Sequence, residues 1–242
     1  PGAAGRSQGG RSMKNHTVAF THATLDGDKL IADIARVSNP GNRDASATRL
    51  IRYLIDHNHW SPFQMASMCL EVTTTRDVGR QILRHLSAIG FQEFSGRYAE
   101  YATLLDTREC RFQHPTNRQL SRLPETDEEH EVARLWDEYI KVKAAADEAD
   151  YKMWLSRGVA KEVARTILPE GLVPSTLYLH FSVRTWLHYI KERTEIGVQA
   201  EHRSVAEQCA KLLVQHFPDT SAAFFGVTTL AFAADKNEAE QA

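Results

Sequence analysis

Met65-Ala66-Ser67-Met68-Cys69-Leu70-Glu71-Val72-Thr73-Thr74-Thr75, then Arg80-Gln81-Ile82-Leu83-Arg84-His85-Leu86, then Ser95-Gly96-Arg97-Tyr98 form the stretch on which the fold turns. In the first part Met68, Leu70, Val72 and Thr74 alternate with Cys69, Glu71 and Thr73, the period of two that predicts a half-buried strand. In the second, Val78, Ile82, Leu83 and Leu86 recur at helical spacing. Such a helix sets Gln81, Arg84 and His85 three and four residues apart on its other face, where an amide, a guanidinium and an imidazole address one ligand. The Ser95-Gly96-Arg97 turn adds a hydroxyl, a glycine that admits close backbone approach, and a second fork of donors. Together they suit a phosphate on a polarisable ring system. Taken alone, the two arginines also fit the solvated face of an exposed helix.

On the N-terminal side, Val18, Phe20 and His22 predict a strand over Thr17 to Leu25, and Asp26-Gly27-Asp28 a turn. A short helix over Ile31 to Val37 stops near Ser38-Asn39-Pro40-Gly41. Ala47, Leu50, Ile51, Leu54 and Ile55 mark a clearer helix, with Asp44 or Ser46 as its cap. It ends at His57-Asn58-His59-Trp60-Ser61-Pro62-Phe63, whose paired histidines lack a nearby third ligand and fit a polar loop better than a metal site. On the C-terminal side an irregular, Pro-interrupted region after Tyr98 has the length of a functional loop. Val132, Leu135, Trp136, Tyr139 and Ile140 predict a long amphipathic helix from about Glu128 to Ser156, stopped at Gly158. A helix over Lys161 to Leu168 carries Arg165. The run Ser182 to Arg193 sets Arg184 and His188 on one helical face, with Arg193 near its C-terminal end, where the helix dipole favours a cation. Val205, Cys209, Leu212 and Leu213 give a last helix, and residues beyond Ala233 read as frayed.

The 242 residues, 42% hydrophobic and 25% charged, fit a globular protein of one domain, with Pro1 to Ser12 read as an expression scar and 13–242 as the domain. A formal net charge of -2 gives no field favouring nucleic acid or an anionic membrane. Arginine outnumbers lysine 20 to 9, and arginine is the side chain that grips phosphate with two parallel donors. No apolar run has membrane-spanning length, and a cytoplasmic enzyme is expected. Three cysteines without C-x-x-C spacing read as structural thiols, so no metal is expected.

Taken in order, Ala35-Arg36-Val37-Ser38, His59-Trp60-Ser61-Pro62-Phe63, Arg80-Gln81 to Arg84-His85, Glu93-Phe94-Ser95-Gly96-Arg97-Tyr98, Glu162 to Pro169 and the Arg184 to Arg193 helix resemble the motifs of flavin-dependent thymidylate synthases. The resemblance covers nearly the whole chain after Met13. It implies an α+β fold, a single domain with a central, mostly antiparallel sheet flanked by long helices. It also implies transfer of a methylene from methylenetetrahydrofolate to C5 of a uridylate, with FAD as cofactor and NADPH as reductant, in a homotetramer whose active sites are shared between subunits.

Residue by residue, the resemblance implies a nucleotide set of Ser95, Gly96, Arg97 and Arg165, with Gln81, Arg84 and Glu93 lying along nucleotide and flavin. Arg193 corresponds to the arginine at the pyrimidine edge, where a fixed cation favours charge building up on the ring. Ser38, Ser61, Arg84, His85, Glu93, Ser182, Arg184 and His188 fall where the family holds FAD, and His59 where a histidine meets the isoalloxazine. Two departures stand out. The signature Arg-His-Arg is Arg84-His85-Leu86 here, and one extra residue precedes Ser95. A pocket reshaped at Leu86 implies a divergent member, similar to the UMP/dUMP C5-methylases of nucleoside-antibiotic pathways. A housekeeping enzyme restricted to dUMP, and a non-catalytic flavin- or nucleotide-binding homologue, are the alternatives.

Overall fold

The computed structural model describes residues 15–38, 46–85, 87–104 and 107–226. The Asn39-Pro40-Gly41 stop, the Asp44 cap, Leu86, the 1–12 scar and the frayed end beyond Ala233 lie outside the described residues. In chain order the elements are β1 (Thr17–Ala23), α1 (Gly27–Ala35), α2 (Ala47–Asp56), β2 (Ser67–Thr75), α3 (Arg76–Ile82), β3 (Gly90–Glu93), β4 (Phe112–Gln113), β5 (Ser121–Arg122), α4 (Asp127–Ser156), α5 (Lys161–Ala164), β6 (Pro174–Ser182), α6 (Val183–Arg193), α7 (Ala200–His216) and α8 (Pro218–Phe225). The fold is α+β. Its central sheet runs β1-β2-β6-β3 with every neighbour antiparallel, as expected. No helix among the described residues is long and apolar enough to cross a membrane.

The alternation in β2 decides which way the sheet faces. Met68, Leu70, Val72 and Thr74 are fully buried, and opposite them on β6 lie Leu177, Leu179 and Phe181. This inner face packs against α3, α6 and α7, where Val78, Ile82, Trp186, Leu187, Ile190, Val205, Cys209 and Leu213 complete one core. Helix α3 leaves β2 directly and α6 leaves β6 directly, with no loop between strand and helix. Because β2 and β6 are antiparallel, with Thr75 opposite Pro174 and Ser67 opposite Ser182, the two helices start at opposite ends of the sheet. Their C-terminal ends therefore converge over its inner face.

Strands β6 and β3 and helix α8 were not anticipated. In β6, Tyr178 and His180 alternate with Leu177, Leu179 and Phe181, so aromatic rings on both faces hide the period. Helix α8 has an N-terminus with no side-chain cap of its own. The Asp28 carboxylate on α1 serves instead, accepting from Asp219 N at 2.7 Å, Thr220 N at 3.2 Å and Thr220 Oγ1 at 2.6 Å. Helix α4 runs as expected, started by Thr126 Oγ1 accepting from Glu129 N and by acidic residues in its first turn. Its apolar stripe is not covered by the chain, however: Leu135 is 51% and Tyr139 60% exposed.

Candidate active site

The meeting point of α3 and α6 is the first place where expected site residues come together. Helix α3 ends at Ile82, and the chain turns through Leu83 and Arg84 so that Ile89 can hydrogen-bond His180 and β3 can pair with β6. Gln81, Arg84 and His85 consequently do not share one helical face, contrary to expectation. Gln81 stays in the helix and is half-buried, Arg84 is exposed in the turn, and His85 follows it. His85 Nε2 accepts from Arg193 Nε at 3.1 Å, so a bare ring nitrogen holds the guanidinium. Burial, then the Arg193 charge, push the His85 pKa down, which keeps that nitrogen unprotonated. Among the described residues Arg193 makes no ion pair, leaving its terminal nitrogens for a ligand.

A second group forms where β3 ends. Ser175 Oγ donates to Glu93 Oε1 at 2.8 Å, and Arg76 Nη1 lies 3.7 Å from the same oxygen, so Glu93 is held at the sheet edge. Ser95 O then accepts from the backbone of Tyr98 and Ala99, closing the expected turn. Gly96 is required there, because a Cβ would lie 2.4 Å from the Tyr101 hydroxyl oxygen and 2.5 Å from its ring. Arg97 Nε pairs with Glu162 at 2.9 Å, and Lys161 Nζ donates to Tyr98 O. Those contacts bring the turn against the segment carrying Arg165, which sits in a 3-10 turn after α5 rather than in the longer helix expected. Ser95, Gly96, Arg97 and Arg165 thus form one neighbourhood.

A third group lies on the outer side of α6. Arg184, His188 and Lys191 follow at i, i+4 and i+7 and make one stripe. The His188 ring meets Trp60 at 5.1 Å and Phe224 at 6.2 Å, and Lys191 stands over Phe224. Burial, then the Arg184 charge, lower the His188 pKa. Arg193 follows Arg184 by nine residues, about two and a half helical turns, and so faces the opposite side of α6. Four other expected members lie outside this stripe. The Ser182 hydroxyl is buried and accepts from Thr185 N as the cap of α6. Ser61 is exposed, at the first position of a 3-10 turn beside Trp60. His59 is exposed among Tyr53 and His57, its ring centroid 6.1 Å from Tyr53. Ser38 closes the 3-10 turn after α1.

Sequence reasoning missed Tyr189, Gln199, Glu201, His202 and Arg111, all joined to Gln81 by hydrogen bonds or through one another. Their signal was present but faint: Glu201-His202 is a polar pair inside the apolar period of α7, and both are fully buried.

Residues 20–219 match the family described as thymidylate synthase complementing protein. The flavin-dependent thymidylate synthase of Synechocystis sp. is 41% identical over 215 residues, covering 88% of this chain and 96% of its own length. A probable flavin-dependent thymidylate synthase of Paramecium bursaria Chlorella virus 1 is 39% identical over 220 residues, covering 87% and 98%. The crystal structure of the UMP/dUMP methylase PolB from Streptomyces cacaoi bound with 5-Br UMP superposes with a TM-score of 0.73 at 27% identity, covering 90% of this chain and 95% of that one. The same methylase bound with 5-Br dUMP also gives a TM-score of 0.73.

Proposed function

From its membership in the family described as thymidylate synthase complementing protein, to which this chain belongs, we propose that the protein is a flavin-dependent methyltransferase acting at C5 of a uridylate. Methylenetetrahydrofolate is the one-carbon donor and NADPH the reductant in this reading, and 13–242 act as one domain. The observation that carries it is the convergence of α3 and α6, which holds the Arg193 guanidinium on a neutral His85, with no carboxylate among the described residues paired to it.

The residues fit a flavin dinucleotide in kind. Arg184, His188 and Lys191, set beside Trp60 and Phe224, offer cations for phosphate and rings for stacking. When bound, the flavin supplies the hydride chemistry. The chain's own residues bind, orient and manage charge. Arg97 and Arg165 match a phosphate dianion, with Ser95 and the close-approach Gly96 beside them, while Glu93, Arg84 and Gln81 line the path between phosphate and ring. Arg193 steadies negative charge on the pyrimidine as C5 becomes nucleophilic, a contribution that grows toward the transition state. His59 and Ser61 belong to the flavin side, with Ser38. Because the stripe of Arg184 and His188 faces away from Arg193, a complete site is best built by apposing two protomers, which supports a shared-site homotetramer.

Leu86 and the extra residue before Ser95 favour acceptance of UMP as well as dUMP, and the likeness to PolB agrees. Incubating the FAD-loaded protein with each nucleotide, methylenetetrahydrofolate and NADPH is expected to yield 5-methylated product from both. A clear preference for UMP would point to nucleoside-antibiotic biosynthesis. Product from dUMP alone removes the UMP branch; FAD binding with no product from either leaves a binding homologue.

A further inference from the structure

A buried polar chain runs behind the junction of α3 and α6, and its chemistry allows only one direction. It starts at Glu201, fully buried on α7 and paired with Arg111 at 2.5 Å. Burial raises the Glu201 pKa, but the Arg111 charge and the hydrogen bonds from Gln199 and Arg111 outweigh it and keep the carboxylate ionised. An ionised carboxylate only accepts. Gln199 therefore turns Nε2 toward Glu201 at 3.0 Å, and its Oε1 accepts from Gln81 Nε2 at 2.7 Å. Gln81 Oε1 in turn faces His202 Nδ1 at 3.2 Å, so that nitrogen carries the ring proton. The bare His202 Nε2 then accepts from the Tyr189 hydroxyl at 3.2 Å. Every link from Tyr189 to Glu201 has a fixed donor and a fixed acceptor.

His202 stands at the branch point of this chain. Through Nδ1 it holds Gln81; through Nε2 it holds Tyr189, whose ring meets the His85 edge at 4.9 Å, and His85 carries Arg193. By valence, Gln81 has its oxygen engaged by His202 and one amide hydrogen engaged by Gln199. What remains for a ligand is the second N–H, a donor suited to a carbonyl or phosphate oxygen. We propose that His202 is a positioning residue of the uridylate site, fixing the Gln81 amide as a donor toward the ligand and bracing the Tyr189–His85–Arg193 side through a single ring tautomer. The proposal rests on the uridylate reading given above.

Three variants separate positioning from mere packing. His202→Asn places its amide nitrogen where Nδ1 stands and keeps the donor to Gln81; His202→Gln places its amide near Nε2 and loses that donor; His202→Leu loses both. Calorimetric titration of the FAD-loaded proteins with UMP and dUMP is expected to show about tenfold weaker binding for Leu and Gln but no more than about threefold for Asn. Asn should do this even where its Tm falls as far as that of Gln. The ring's nitrogen NMR spectrum in the wild type is expected to show Nδ1 protonated and Nε2 bare. If Asn and Gln bind equally, or affinity merely follows Tm, or Nε2 carries the proton, the positioning role is overturned. Should His202→Leu fail to fold, the Asn and Gln pair still decides. A wild type that binds neither nucleotide overturns the uridylate reading itself, a result distinct from variants ranked in the wrong order.

Discussion

At the scale of single residues, what matters is which charges are held without a counter-charge. Arg193 is secured by a neutral acceptor, His85 Nε2, so its positive charge is left for the ligand. Arg193→Ala is expected to lower kcat by about a hundredfold or more while weakening uridylate binding only about fivefold, since its charge matters most as the ring becomes anionic. Single-turnover rates alongside equilibrium titrations check this, and equal losses in both would contradict the role. His202 makes a second prediction. Burial, then Arg193 and His85, bring its pKa from 6.5 down to about 3. Below pH 6.5 the unfolded chain thus binds a proton that the folded one refuses, and stability falls as pH drops through that window toward 3. From pH 7 to pH 5 this site alone should remove about 2 kcal/mol. Urea unfolding at the two pH values should show a smaller pH loss in His202→Asn than in the wild type; an identical loss would contradict it.

At the scale of elements, the fold follows from two strands that pass straight into helices. β2 into α3 was legible, because the alternation of Met68, Leu70, Val72 and Thr74 matched their burial. β6 into α6 was legible only from Ser182 onward: Tyr178 and His180 disguise the strand, while Ser182 announces the helix it caps. The short edge strand β3, with Phe91 exposed, carries no pattern at all, since its place is set by pairing with β6. The same limit explains the site. The Ser95 to Arg97 turn was legible as a local motif, whereas the end of α3, and with it the separation of Gln81 from Arg84 and His85, depends on a tertiary pairing. Helix α8 was missed although Pro218 at its first position and the positive-φ Gly226 after its last mark it locally; the hydrogen-bonding cap itself comes from Asp28, far away in sequence. Asp28→Ala is expected to destabilise the fold by about 2 kcal/mol, with two backbone donors left unmet and a hydroxyl released. Chemical denaturation measures this, and a change within error would show that α8 needs no cap from α1.

At the scale of the whole molecule, two features ask for a second copy of the chain. The cations on the outer side of α6 face away from Arg193, and α4 presents Val132 at 46%, Leu135 at 51%, Trp136 at 46% and Tyr139 at 60% exposure along one stripe. Apolar rows of that size normally mark an interface. Light scattering is expected to give an assembly larger than the monomer, and Trp136→Glu with Tyr139→Glu to reduce its mass together with turnover; a wild-type monomer that methylates uridylate would contradict a shared site. The central claim, that the converging ends of α3 and α6 seat the pyrimidine, has a more direct test. Crystals soaked with 5-bromo-UMP give an anomalous signal from the bromine. The account predicts that peak beside the Arg193 guanidinium and the His85 ring, with the phosphate on Arg97 and Arg165. A bromine peak elsewhere, with Arg193 still bound only to His85, would contradict it.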